Sequence, residues 1–344
     1  MTKKLGSGAE DRDAFPQSPI RNSRPLILQF LASLKFTLVI LVALGAGVVL
    51  AYTSRAPAVW ALVGPLAALA VNLAAAVWTN SVFRRQTPLL IFHLALIAIV
   101  LLVALGRLTY LKGQLELAEG EVFDGQLTQE ESGLWHPRHL DALRFSNEGF
   151  TVEYAKGVRR GATRNRVAWT DAAGRMQREV IGDQDALILA GYRFYTSFNK
   201  GFAPAFVWRP DAGAPMLGTV HLPAYPLHQY KQALEWTPPG SKTSLWVMLQ
   251  FDEVILDPAQ PSEFRLPAQH QVVVRAGERR QELKPGEAMR LADGVLVYDG
   301  LRSWMGYTVF YDFTLPWLLA AGVLAVVSLG MHFWKKFSAR PWDE

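Results

Sequence analysis

Residues 88–105 read PLLIFHLALIAIVLLVAL, an apolar run interrupted by a single ionisable side chain, His93. Its length is close to the ~20 helical residues that cross a bilayer. Because no backbone amide can remain unpaired in lipid, we expect this run to be a helix. Three further runs share its character, so the sequence predicts four transmembrane spans: Phe36–Tyr52, Val59–Trp78, Pro88–Leu105 and Leu315–Trp334.

Basic residues are concentrated at one set of span ends. If both termini are cytoplasmic, 11 of the 12 Lys and Arg residues outside Arg107–Asp312 fall on the cytoplasmic side, and only Arg55 falls on the other. The positive-inside rule therefore predicts cytoplasmic termini. In this division, residues 1–25 form a disordered cytoplasmic tail, 26–106 hold spans one to three, 313–336 hold span four, and 337–344 form a second cytoplasmic tail.

The long connection between spans three and four is predicted to be an extracytoplasmic β-rich domain, residues 107–312. Its short alternating or β-branched segments, such as FTVEY at 150–154 and QVVVR at 271–275, are separated by Gly, Pro and Asp turns. This spacing is typical of an all-β sandwich or open barrel. The only helical signal, at Pro226–Trp236, is weak. The predicted fold class is thus a four-helix membrane bundle with an all-β extracytoplasmic domain.

Charge and cysteine content exclude several functional classes. The formal net charge is +5, but residues 107–312 carry 23 basic and 25 acidic side chains, and the excess lies at the span ends. That distribution argues against nucleic acid as a partner. The chain has no cysteine, hence no thiolate nucleophile and no CxxC or CxxCH motif of its own. No hydrolase, P-loop or zinc-protease motif is present, so we do not expect catalysis by this chain alone.

His93 is the leading candidate for a site residue. It lies five residues into span three, ~8 Å below the cytoplasmic end at 1.5 Å per residue. Ionisable groups at such depth are rare and commonly functional, and a neutral imidazole there could bind a haem iron. His332, near the cytoplasmic end of span four, could supply a second ligand. The alternatives are an interhelical hydrogen bond for His93 and an interfacial role for His332.

Other polar residues favour structural roles. Asn72 in span two predicts an interhelical hydrogen bond. The HPRH segment at 136–139 has a metal-like spacing but no acidic cluster beside it, which favours a surface loop over zinc. The basic cluster at 159–166 is interpreted as a solvated strand or turn, with a headgroup or propionate contact as the alternative. No partners are recognisable in the sequence for His221, His228 and His270.

Several segments together resemble the ResB/CcsB family of System II cytochrome c biogenesis. FLASLKFTLVILVAL at 30–44 resembles the start of the family's first span. PLLIFHLALIAIVLLVALGRLTYLKGQLELAEGEVF at 88–123 carries a span-three histidine, a glycine and a strand ending in an acidic-Gly-acidic turn. LILAGYRFYTSFNKG at 187–201 and YDGLRSWMGYTVFYDFTLPWLLAAG at 298–322 resemble the family's later segments. The resemblance covers most of the chain, as a short and divergent member.

The resemblance implies a membrane subunit that helps to move haem b across the bacterial inner membrane for attachment to apocytochrome c. A CcsA/ResC-type membrane protein would be the partner and would carry the tryptophan-rich haem-handling motif, which is missing here. A thioredoxin-like reductant would supply any thiol chemistry. His93 matches the family's span-three haem ligand, so the iron of the haem would be bound there.

Two other hypotheses stay open at this point. The first is a structural or assembly subunit of another respiratory membrane complex, in which His93 only packs and the β domain docks a partner. The second is a small-molecule transporter, which is disfavoured because one histidine and one asparagine make a poor substrate path and no inverted repeat is visible.

Overall fold

The computed structural model describes residues 26–53 and 59–338. The predicted disordered tail, Arg55 and residues 339–344 lie outside these ranges. The chain divides into two compact units. The helical unit consists of the described residues within Met1–Ala56, Gly64–Leu101 and Ala320–Glu344. The β unit consists of those within Pro57–Val63 and Leu102–Leu319.

Six α-helices are described, and four of them are long and apolar enough to cross a membrane. The helices are α1 (Leu26–Leu31), α2 (Leu34–Thr53), α3 (Val59–Thr79), α4 (Ser81–Arg85), α5 (Thr87–Thr109) and α6 (Leu315–Ser338). The four long ones, α2, α3, α5 and α6, coincide with the four predicted spans, and α5 and α6 each continue four residues beyond the predicted end. The protein is therefore a multi-pass membrane protein.

The apolar stretch before the first span forms a separate short helix, α1. The break follows from Ser33, whose side-chain oxygen accepts a hydrogen bond from the Phe36 amide at 3.2 Å and so caps the start of α2. Asn72 of α3 joins this region as predicted. Its amide oxygen accepts from the Thr37 hydroxyl at 2.8 Å, and its amide nitrogen donates to the Leu31 carbonyl at 2.5 Å.

The β unit contains fifteen strands in three antiparallel sheets. The strands are β1 (Leu111–Ala118), β2 (Gln129–Ser132), β3 (Ser146–Ala155), β4 (Arg159–Thr170), β5 (Met176–Gly182), β6 (Leu187–Leu189), β7 (Tyr192–Pro210), β8 (Met216–Thr219), β9 (Ala233–Trp236), β10 (Leu245–Gln250), β11 (Ser262–Glu263), β12 (Gln271–Ala276), β13 (Arg279–Leu283), β14 (Ala288–Arg290) and β15 (Gly294–Tyr311). The prediction of an all-β domain is confirmed, although its division into three sheets was not anticipated.

Two long strands form the centre of the largest sheet. β7 and β15 pair antiparallel along nearly their whole lengths, with bulges near Gly300 and Gly306. The sheet order is β2-β1-β15-β7-β6, with β8 on β7 and β14 on β15. The other sheets run β13-β12-β10-β9 and β11-β3-β4-β5. Alternating side chains of these strands enclose one aromatic-rich core.

The weak helical signal at Pro226–Trp236 was wrong. The segment forms a 3-10 turn at His228–Tyr230 and then strand β9. Gln229 has φ +57°, which a right-handed helix does not accommodate. Residues Ala233–Trp236 instead pair with β10, so ladder hydrogen bonds replace those of a helix.

Candidate functional site

His93 is held in a defined orientation by its own helix. Its Nδ1 lies 2.8 Å from the Leu89 carbonyl oxygen one turn earlier, and because a carbonyl can only accept, Nδ1 carries the proton. With the proton of the Leu89 hydrogen bond on Nδ1, Nε2 is the nitrogen that can offer a lone pair. Within the described residues, Nε2 makes no hydrogen bond. A backbone-bound Nδ1 and an open Nε2 are the arrangement found in histidines that ligate metals.

Aromatic rings fix the imidazole plane. Phe83 in α4 lies against His93 with ring centroids 4.2 Å apart, and Phe92 contacts it edge-on at 5.3 Å. Phe83 reaches this position because α4 is a five-residue helix between α3 and α5, capped by Asn80, whose side chain accepts from the Val82 amide. The ring is thus half-buried and restricted by apolar neighbours. Sequence reasoning missed Phe83, since nothing in its local pattern links it to His93.

A basic pocket lies beside this histidine in the helical unit. It has a volume of about 670 Å³ and is formed by the start of α5, the end of α4 and the end of α6. Its lining residues are Val82, Arg85, Gln86, Thr87, Pro88, Leu89, His332, Lys335 and Lys336. None of these described residues is acidic, so the positive charges of the pocket are not neutralised within it. Such a pocket suits an anionic group.

The two candidate ligands, His93 and His332, both lie near this pocket, but no contact between them is described. His332 lines the basic pocket, and so does Leu89, the residue whose carbonyl binds His93. His93 itself is not a lining residue, and the ring contact described for His332 is with Phe333 at 5.3 Å. Within the described residues the two imidazoles make no hydrogen bond or ring contact with each other. The grouping of Arg85, Lys335 and Lys336 was not foreseen as a site.

His221 in the β unit has partners that the sequence did not reveal. Its Nδ1 lies 3.1 Å from Glu116 Oε2, its Nε2 lies 3.6 Å from Glu121 Oε2, and its ring stacks on Trp304 at 5.5 Å. Burial of the ring acts to lower its pKa, but the hydrogen bonds and charges of the two glutamates outweigh burial and raise the pKa to about 9. His221 is therefore an imidazolium at neutral pH and a poor metal ligand.

The two histidines of the HPRH segment differ in their surroundings. His136 of the HPRH segment is bonded through Nδ1 to the Thr109 carbonyl at 2.9 Å and through Nε2 to the Tyr192 hydroxyl at 2.7 Å. His139 is exposed. Among the described residues, no group of three or more His, Cys, Asp or Glu side chains could hold a metal ion. The basic cluster at 159–166 lies on β4, where Arg160 pairs with Asp183 at 2.8 Å.

Comparison with known proteins places the chain in a family. No curated protein sequence matches it. Among solved structures it is similar to the cytochrome c heme lyase CcmF, with 13% identity and a TM-score of 0.25 over 88% of this chain and 37% of that one. The chain thus spans little more than a third of that structure, and the TM-score is too low to argue a shared fold. The ResB-like family model matches residues 82–338, three quarters of the sequence, and the protein belongs to the ResB-like family.

Proposed function

We propose that this protein is a haem-handling membrane subunit of System II cytochrome c biogenesis in the bacterial inner membrane. Membership of the ResB-like family supports a role in cytochrome c biogenesis. The observation that carries the haem assignment is the open Nε2 of His93, whose proton is held on Nδ1 by the Leu89 carbonyl. Haem is the cargo in this proposal, and a CcsA/ResC-type protein supplies the remaining ligands.

His93 acts as an axial ligand to the haem iron. A metal-bound histidine needs a neutral ring with one free nitrogen, and the second nitrogen is ordinarily held by a carbonyl or carboxylate. The Nδ1 of His93 is already held by the Leu89 carbonyl before any ligand arrives. Phe83 and Phe92 add flat apolar surfaces suited to a porphyrin and limit rotation of the ring. Pre-organisation of this kind reduces the entropy lost on binding.

The basic pocket serves the anionic edge of the same cargo. Haem carries propionate groups, and Arg85, Lys335 and Lys336 are cationic neighbours without an acidic partner in the pocket. His332 contributes to this positive lining, and its proposed role is at the propionates or as an auxiliary ligand. The pocket lies at the start of α5 and the end of α6, the span ends that the positive-inside rule assigns to the cytoplasm. Haem is then taken up from the cytoplasmic leaflet.

The β domain stands on the extracytoplasmic side in this orientation. There it provides a scaffold for the partner subunit and for apocytochrome c, while a thioredoxin-like reductant keeps the CxxCH thiols of the acceptor reduced. The chain itself carries no cysteine and so contributes no thiol step. Its role is to bind, orient and release haem, and the covalent chemistry belongs to the complex.

The test is a covalent-haem stain of membrane and soluble fractions from a strain without this gene. The gene is restored as wild type, His93→Ala or His332→Ala, each with an epitope tag to compare membrane levels. We expect wild type to restore the c-type bands, His93→Ala to restore less than about a tenth of them, and His332→Ala to restore most of them. Full restoration by His93→Ala at equal membrane levels would refute the ligand role. Unchanged bands in the deletion strain would instead support a non-haem assembly subunit.

A further inference from the structure

The loop that follows β2 is fastened to the end of a membrane span. The Gly133 amide donates to the Tyr110 carbonyl at 2.8 Å, and the Trp135 amide donates to the Leu108 carbonyl at 2.7 Å. Leu108 lies in the last turn of α5. The loop thereby satisfies backbone carbonyls that a helix end leaves without intrahelical partners. Its position is set by the span itself.

Close backbone approach keeps the loop against the helix. Gly133 is buried, and a Cβ at this position would collide with the Leu108 carbonyl. On its other side the loop is anchored by His136, whose ring bonds to the Thr109 carbonyl and the Tyr192 hydroxyl and packs edge-on to Tyr311 at 5.1 Å. The two residues between these anchors therefore have little freedom to fold back into the core.

Those two residues are large, apolar and exposed. Leu134 is 65% exposed and Trp135 is 58% exposed. Apolar surface left in water forgoes ~25 cal/mol per Å² of stabilisation, and adjacent exposed Leu and Trp on a fixed loop are unusual without a partner. Arg138, three residues further, is exposed as well.

The position of the loop beside the ends of two membrane spans indicates what contacts Leu134 and Trp135. The start of α6 lies next to the end of α5, since a Cβ at Gly106 would be 2.8 Å from Thr314 Oγ1. In the first turn of α6, Trp317 is 62% exposed. Two candidate membrane spans thus have their ends next to each other here, and Trp is favoured where spans meet the membrane surface.

We infer that Leu134 and Trp135 insert into the bilayer interface at the end of α5 and seat the β unit on the membrane. The occupant of this surface is the phospholipid bilayer, because the loop is hydrogen-bonded to the end of a membrane span. Arg138 lies beside the insertion and suits anionic headgroups. The insertion adds a contact with lipid to the two covalent connections between the β strands and the spans α5 and α6. It does not depend on haem binding.

Absence of native cysteine makes the test direct. Single-cysteine variants Leu134→Cys and Trp135→Cys of the full chain are labelled with the environment-sensitive fluorophore NBD and reconstituted into phosphatidylcholine–phosphatidylglycerol nanodiscs. Nitroxide-bearing lipids then report proximity to the bilayer. Trp317→Cys is the membrane reference, and Glu278→Cys, in the charged turn between β12 and β13, is the aqueous reference.

The inference predicts that labels at 134 and 135 are quenched about as strongly as the label at 317, and at least ~2-fold more than the label at 278. Their emission should also be blue-shifted relative to 278. Both substituted side chains are exposed, so folding is retained, and an unchanged apparent Tm of each variant verifies this. Quenching at 134 and 135 that is no greater than at 278 overturns the inference. It would show that this surface contacts water or a protein partner and not lipid.

Discussion

His93 in α5 and His221 in the β unit are imidazoles with opposite surroundings. His93 has one nitrogen bonded to a backbone carbonyl and one open, with aromatic rings beside it. His221 has a carboxylate at each nitrogen, and its pKa is raised to about 9. Among the described residues the first ring keeps one nitrogen without a hydrogen bond, whereas the second has an acidic partner at both nitrogens. An unpaired nitrogen on an ordered ring is therefore a better indicator of a site than burial alone.

The same contrast extends to the polar groups around each histidine. The β unit buries a connected network in which Asn165 donates to Asn147 Oδ1 at 2.7 Å and to the Gly149 carbonyl at 2.9 Å, and accepts from the Tyr307 hydroxyl at 2.8 Å. Around Asn165 the buried polar groups are paired and specify the fold. In the helical unit, the basic pocket gathers Arg85, Lys335 and Lys336, and none of its described lining residues is acidic.

The largest expected effect tests the open nitrogen of His93. In His93→Gly, removal of the ring should reduce the haem recovered with the purified complex by at least ~10-fold, because an axial ligand is lost. Addition of free imidazole should restore part of the haem, with a low-spin haem spectrum. A matched His221→Gly variant should keep its haem. Haem loss that imidazole does not reverse would indicate that His93 acts through packing.

The second effect concerns the buried network. We expect Asn165→Ala to lower the unfolding free energy of the β unit by ~3 kcal/mol, since three buried partners each lose a hydrogen bond. At this size the apparent Tm should fall by roughly 6–12 °C. Scanning fluorimetry of the purified protein measures it, with the exposed Asn199→Ala as the control. Equal melting of the two variants would show that the network is dispensable.

The third effect is a pH dependence carried by His221. Its pKa is raised in the folded state to about 9 from an ordinary value of 6.5. The stabilisation is therefore fully present below pH 6.5 and is lost as the pH rises through about 9. Partial exposure of the glutamates limits it to ~2 kcal/mol. The difference in apparent Tm between wild type and His221→Gln should thus shrink from pH 6 to pH 9.5. A constant difference would argue against the charged ring.

The smallest effect concerns Lys200, which is fully buried in β7. Burial and the nearby Arg160 lower its pKa to about 8, against the opposing attraction of Asp183. Because the folded-state pKa is depressed, the charged lysine destabilises the fold below pH 8, and this penalty fades between pH 8 and 10.5. Lys200→Met should raise the apparent Tm at pH 7 by roughly 2–4 °C, about 1 kcal/mol, and by less at pH 10. A lower Tm at pH 7 would show that the charge is needed.

Much of the fold could be predicted because it depends on local composition. Four apolar runs long enough for a bilayer became four helices, and alternating segments such as Phe150–Tyr154 became strands. The segment at Pro226–Trp236 was mispredicted because its helical propensity was outweighed by pairing with β10. Nothing in the segment's own composition indicates that partner.

The candidate site divides in the same way. Sequence alone determined that His93 lies within a span, because depth follows from counting residues along a helix. It also determined that the chain contributes no thiol, since it has no cysteine. Only the tertiary structure decided which histidine nitrogens have hydrogen-bond partners, because His221 contacts Glu116, which lies 105 residues away in the sequence. In the same way, the ring of Phe83 in α4 contacts the ring of His93 in α5. Composition fixes what a segment can be, whereas contacts between distant segments fix what each side chain is free to bind.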